Sequence, residues 1–127
     1  MAESNIRDPY TLKAAVNLSA NIYQVMRLSA ANACNIASNA VDSDMVGVLQ
    51  NKPEANEAAT IADSGLSKIM AGGALSVGDP LTCNGSGRAA AVTSGQVAFG
   101  RLLEAAGGDG DIVTCRLFPP VRWSGAV

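Results

Sequence analysis

Ala71-Gly72-Gly73-Ala74-Leu75-Ser76-Val77-Gly78-Asp79-Pro80-Leu81-Thr82 is the stretch on which the reading of this chain turns. Apolar residues flank a loop of small residues that turns sharply at Gly78-Asp79-Pro80. Glycine takes positive φ without steric cost, and proline fixes φ and offers no N–H to a sheet ladder. The segment therefore predicts strand, loop, tight turn, strand. Gly85-Ser86-Gly87-Arg88 predicts another turn, followed by a strand over Arg88-Ala89-Ala90-Ala91-Val92. Further on, Asp111-Ile112-Val113-Thr114-Cys115-Arg116-Leu117 alternates cleanly. Val113, Cys115 and Leu117 share one face and Thr114 and Arg116 the other, as in a half-buried strand. Pro119-Pro120 is expected to end it.

Working back from the centre, Met45-Val46-Gly47-Val48-Leu49-Gln50 reads as a strand closed by Asn51-Lys52-Pro53. Residues 57–63 form another around Thr60 and Ile61, Ser64-Gly65 interrupts as a bulge or bend, and residues 66–70 continue in β form. Residues 22–28 and a short piece at residues 34–36 are also strands, with Asn32, Asn35 and Asn39 favouring turns. Residues 97–104 complete the set, Gly100 permitting a close backbone approach. Short strands with turn signals about every ten residues predict an all-β fold, a small barrel or a sandwich.

The ends read differently. Residues 1–21 are expected to be an extended N-terminal arm with Ile6, Tyr10 and Leu12 as candidate anchors. Within it, Leu12, Ala15, Val16 and Ser19 fall on one face of a short helix over residues 11–19. Residues 22–118 form the β domain, and residues 119–127 a short tail with the only tryptophan, Trp123. Trp123 either anchors a contact, since aromatic residues are enriched at interface hot spots, or folds back onto its own domain.

The 127 residues suffice for one domain. They are 48% hydrophobic but only 4% aromatic, and much of the apolar content is alanine, so the core is expected to be thin. Self-association or docking on a larger surface would supply the missing burial. A formal charge of −2 without a basic run argues against direct nucleic-acid binding, which needs clustered Lys and Arg. No apolar run approaches the roughly 20 residues of a membrane span, and no signal-peptide pattern opens the chain. A soluble protein made in a cytoplasm is the expectation. Cys34, Cys83 and Cys115 are odd in number, show no C-x-x-C spacing and have no histidine to complete a zinc site. They are expected to be small buried hydrophobes, and neither metal nor cofactor is expected.

With no histidine in the chain, a Ser-His or Cys-His nucleophile pair is excluded. Asp42 with Asp44 and Asp109 with Asp111 are the paired carboxylates, and such pairs are usually solvated loop residues. Gly107-Gly108-Asp109-Gly110-Asp111 departs from a calcium-loop repeat, which needs Asp where Ile112 stands. Gly72-Gly73 lacks the Gly-Lys-Ser/Thr of a P-loop. Lys68, the one candidate for a biotin- or lipoate-type lysine, lies in a strand-like run rather than at a hairpin tip. An enzyme is therefore not expected.

Several segments also carry a family resemblance in their order and spacing. These are Met45-Val46-Gly47-Val48-Leu49-Gln50-Asn51-Lys52-Pro53, Glu57-Ala58-Ala59-Thr60-Ile61, Ser64-Gly65-Leu66-Ser67-Lys68, Ala71-Gly72-Gly73-Ala74-Leu75 and Val77-Gly78-Asp79-Pro80-Leu81. Gly87-Arg88-Ala89, Phe99-Gly100-Arg101-Leu102-Leu103-Glu104-Ala105 and Gly108-Asp109-Gly110-Asp111-Ile112-Val113 follow in register. Over roughly residues 22–118 the chain is similar to the head decoration (capsid cement) proteins of tailed bacteriophages. The resemblance implies a small β-barrel or tulip-like domain without enzymatic activity, attached to the outside of an icosahedral head. It implies that the major capsid protein is the partner and that the protein binds as a homotrimer, or in some relatives a dimer. The implied location is the virion, after assembly from the host cytoplasm. The rival class is a β-rich binding module of a phage tail or fibre.

Overall fold

Alternating apolar residues with frequent turn signals produce eleven strands in two sheets among the described residues. A computed structural model describes residues 5–6 (backbone only), 9–41 and 44–124, and among these there is no helix. The strands are β1 (Asn5–Ile6), β2 (Tyr10–Ala14), β3 (Val25–Ala30), β4 (Ala33–Ile36), β5 (Met45–Leu49) and β6 (Ala58–Ala62). They continue with β7 (Gly65–Met70), β8 (Pro80–Cys83), β9 (Ala89–Ala91), β10 (Val97–Leu102) and β11 (Ile112–Arg122). Five strands close a barrel in the order β2-β4-β3-β5-β6, and the other six form an open sheet in the order β1-β7-β11-β10-β8-β9. The all-β expectation with a small barrel holds.

The barrel closes through one parallel pairing, Lys13 with Ala33 and Ala14 with Cys34, while β2 runs antiparallel to β6 on its other side. Five strands enclose a narrow lumen. Ala14, Ala59 and Cys34 fill it alongside Leu18, Met26, Leu49 and Ile61, with Tyr10, Leu12, Ile36 and Val46 packed against them. Small side chains suit so narrow an interior. The expected arm over residues 1–21 and the helix over residues 11–19 are thus corrected where the chain is described. Tyr10, Leu12 and Ala14 alternate inward with period two, and that strand supplies the wall that closes the barrel. Residues 1–4, 7–8, 42–43 and 125–127 lie outside the described residues.

The inner face of the open sheet carries the second core. Ile69, Leu81, Phe99, Leu102, Val113, Cys115 and Leu117 pack with Val25, Met45, Val48 and Ala62 from the barrel's outer wall. Successive side chains of a strand point to opposite faces. Met26, Leu49 and Ile61 therefore enter the lumen while their neighbours Val25, Val48 and Ala62 face the sheet. This double burial explains why β5 is apolar almost throughout. The sheet also curls: Ala89 bridges Ala71, just past β7, and Gly72 N donates to Ala89 O at 2.8 Å.

Four local expectations change. The strand placed at residues 22–28 begins only at Val25, because residues 21–24 form a turn, with Gln24 N bonded to Asn21 O and Tyr23 at φ +67°. Asn35 lies within β4 rather than in a turn, although Asn32 has positive φ between β3 and β4. Pro119-Pro120 does not end β11, which runs on to Arg122. Ala98 faces Val121 and Gly100 faces Leu117, so the prolines sit in a bulge opposite Phe99, where a missing N–H breaks no ladder bond. Gly100 permits the close approach expected of it: a Cβ there would lie 2.7 Å from Arg116 O. Of the reading of residues 71–82 the loop, tight turn and second strand are seen, whereas the first strand ends at Met70 and Ala71 makes only an isolated bridge; the turn is fastened by Ser76 N donating to Asp79 Oδ2 at 3.0 Å.

Candidate functional site

The carboxylates that spacing singled out are engaged structurally. Asp111 Oδ2 accepts from Gly107 N at 2.8 Å and Gly108 N at 3.2 Å, fastening the loop before β11. Asp109 pairs with Arg88 at 2.8 Å, and Asp44 lies 3.6 Å from Arg27. Asp42 falls outside the described residues. The Asp109 and Asp111 carboxyls therefore face different partners and do not converge on a shared site. Among the described residues no group of three His, Cys, Asp or Glu gathers as a metal site. Lys68 lies mid-strand on β7, opposite Thr114, with its ammonium 5.9 Å from the Tyr23 ring centroid.

Glu104 has the clearest structural task among the acids. Its Oε1 accepts from both the N–H and the hydroxyl of Thr114 at 3.1 Å, and Thr114 is buried. Glu104→Ala leaves two buried donors without an acceptor. A loss of about 1–3 kcal/mol in urea unfolding is expected. A loss below 0.5 kcal/mol would mean that water takes over both bonds.

All three cysteines are buried and none forms a disulfide. Burial pushes the Cys115 thiol up to about 12 from an ordinary 9.0, and raises Cys34 as well. Below the ordinary thiol range both folded and unfolded chains hold these protons. Above it the unfolded chain loses them first, so stability falls as pH rises from about 9 towards 12. The Cys115 slope approaches about 1.4 kcal/mol per pH unit in that window. Thermal melts between pH 8 and 11 check the sign, and a rising melting temperature would contradict it.

The expected contact residues separate by location. Tyr10 and Leu12 lean into the barrel, and the Tyr10 hydroxyl donates to Val46 O at 3.1 Å. Burial raises the Tyr10 phenol above its usual value, with the nearby Asp63 and Cys34 adding to the shift. Ile6 pairs through its backbone with Gly65 at the β7 edge. Trp123 folds back: its N–H donates to Gln96 O at 2.7 Å, its carbonyl accepts from Gly95 N at 2.9 Å, and its ring lies 5.9 Å from the Arg101 guanidinium. It remains half-buried.

Two surface features went unread in the sequence. Val77 (65% exposed) and Leu103 sit on the loops that Leu75 and Ala106 bridge together, and exposed Ile112 begins β11 at the same end of the open sheet. On the sheet's outer face, Arg101 and Arg116 stand directly opposite each other on β10 and β11. Strand pairing makes both visible, and neither follows from residues adjacent in sequence. A shallow groove of about 370 Å³ also runs beside β2, with Lys13, Asn32 and Glu57 on its walls.

In the comparisons with known proteins, no curated protein matches the chain. Among solved structures it is similar to the head fibre gp8.5 N base of bacteriophage phi29, with a TM-score of 0.66 and 20% identity, covering 86% of this chain and 92% of that one. That likeness concerns the fold. The family model described as phage cement protein matches residues 10–117, from the first barrel strand to the inward-facing Leu117 of β11. The chain belongs to the phage cement protein family.

Proposed function

We propose that this protein decorates the outside of an icosahedral phage head, bridges neighbouring major capsid subunits and stabilises the expanded shell without catalysis. The observation that carries the reading is the phage cement family match across residues 10–117. Support comes from the chemistry of the fold, whose loop carboxylates serve turns and ion pairs. A homotrimer bound to several capsid subunits gains from effective concentration, so individually weak contacts suffice. In this reading Trp123, half-buried after folding back onto the domain, is a candidate contact, while Tyr10 and Leu12 chiefly build the barrel. Stabilisation follows from binding the expanded shell more tightly than the unexpanded one.

The alternative is a β-rich module at the base of a fibre, favoured by the shared fold with the phi29 head fibre base. Copy number separates the two. Purified protein is to be co-sedimented with expanded and unexpanded shells of its phage. Saturable binding in hundreds of copies to expanded shells alone is the expected result. A few copies per particle would favour the fibre module, and no binding to either shell would remove the capsid reading.

A further inference from the structure

The row Leu66, Arg116, Arg101, Pro80 crosses β7, β11, β10 and β8 in direct register. It is about 14 Å across at ordinary strand spacing. The row lies on the face turned away from the second core, since Cys115, Leu117 and Leu102 beside it point inward. Both arginines are exposed, whereas Leu66 and Pro80 on either side of them are half-buried. Like charges directly opposite on neighbouring strands repel and weaken a sheet. Among the described residues neither arginine forms an ion pair: the pairs are Arg27 with Asp44 and Arg88 with Asp109. The Arg116 guanidinium makes no hydrogen bond among the described residues. Arg101, by contrast, is held in place, donating to Gly78 O at 2.8 Å with the Trp123 ring alongside.

We propose that the Arg101–Arg116 pair on the outer face of the open sheet is a docking site for a carboxylate-bearing segment of a partner protein, the major capsid protein in the cementing reading. Each guanidinium offers a fork of N–H donors that matches a carboxylate bidentately, and the register sets the two arginines on adjacent strands. A carboxylate between them removes the repulsion that the isolated fold carries. Leu66 and Pro80 are the apolar residues flanking the pair, with Asn5 of β1 opposite Leu66 beyond it. A protein acid fits better than a nucleic-acid backbone, because the chain is net negative and a phosphate backbone needs a longer run of cations. The capsid as natural partner rests on the cementing reading; the site's chemistry does not.

Trp123 is the only tryptophan, so its fluorescence reports on this site. The full chain is to be titrated at low salt with poly-L-glutamate and, separately, with an oligothymidylate of matched charge. The expected result is a saturable change with poly-L-glutamate, weakened at least tenfold in Arg116→Glu and less in Arg116→Lys. Lys52→Glu, an exposed cation elsewhere, should bind as the parent does. Equal responses of parent and Arg116→Glu overturn the proposal, as does tighter binding of the oligothymidylate. A response seen only after residues 1–4 are deleted assigns the arginines to the chain's own terminus and also overturns it. Circular dichroism confirms that each variant is folded. The same variants are then sedimented with expanded shells. Loss of shell binding in Arg116→Glu joins the two readings. Arg116-dependent poly-L-glutamate binding without any shell binding keeps the site and removes the cementing. Shell binding unchanged by Arg116→Glu, with no poly-L-glutamate response, does the reverse.

Discussion

Gly47→Val should cost at least about 3 kcal/mol and leave little folded protein at 37 °C. Gly47 has φ +153°, a conformation that a β-branched residue adopts only under strain. A Cβ at this position would collide with the carbonyl oxygen of Ala62 on the neighbouring strand. That neighbour is backbone, so it has no rotamer to yield. The strain alone is worth about 1–3 kcal/mol, and forcing β5 away from β6 adds a similar amount. The register explains why the position is tight: Met26 faces Gly47 and Arg27 faces Met45, so Val46 is the extra residue of a bulge. β5 lines both cores, so a shift there opens the barrel lumen and the contact with the sheet together. Urea unfolding measures the loss. A change below 1 kcal/mol would show that β5 and β6 can separate without harm to the fold.

Phe99→Ala should cost about 3–5 kcal/mol. Phe99 is the largest fully buried side chain among the described residues. It sits in the sheet-to-barrel core opposite the bulge that contains Pro119-Pro120. Two prolines nearby restrict how far that wall can move inward, which keeps the site towards the upper end of the range. The midpoint of urea unfolding should fall with little change in slope. A loss under 1.5 kcal/mol would mean that the bulge collapses to fill the space. Trp123→Ala, at a half-buried position outside both core clusters, should cost less than Phe99→Ala in the same measurement.

The contrast between β11 and β2 shows where the sequence was readable. In β11 the alternation of Val113, Cys115 and Leu117 with Arg116 survives in the fold because one face meets the core and the other meets solvent. Residues 71–82 were legible because their glycines, Asp79 and Pro80 settle the turn locally. β2 was not legible, because Tyr10-Thr11-Leu12-Lys13-Ala14 gains its role only when Ala33 and Ala58 arrive from distant positions to pair with it. β11's extension was hidden for a related reason: proline stops an ordinary strand, but a bulge removes the need for its N–H. Tyr23 misled in the other direction, its apolar neighbours suggesting a strand where the bonds of Asn21 and Gln24 make a turn. As for the candidate site, Trp123 stood out by its singularity. The Arg101–Arg116 pair depends on a register between residues fifteen apart, which no local motif announces.

Cementing is tested most directly by the shell's own endurance. Expanded heads prepared without this protein are to be heated with and without purified protein added back, and DNA release followed with a dye that cannot cross an intact shell. Saturating protein should raise the release temperature by several degrees, with the rise levelling off at the bound copy number that sedimentation gives. Release at the same temperature, with the protein demonstrably bound, would contradict cementing and leave a decoration that attaches without strengthening.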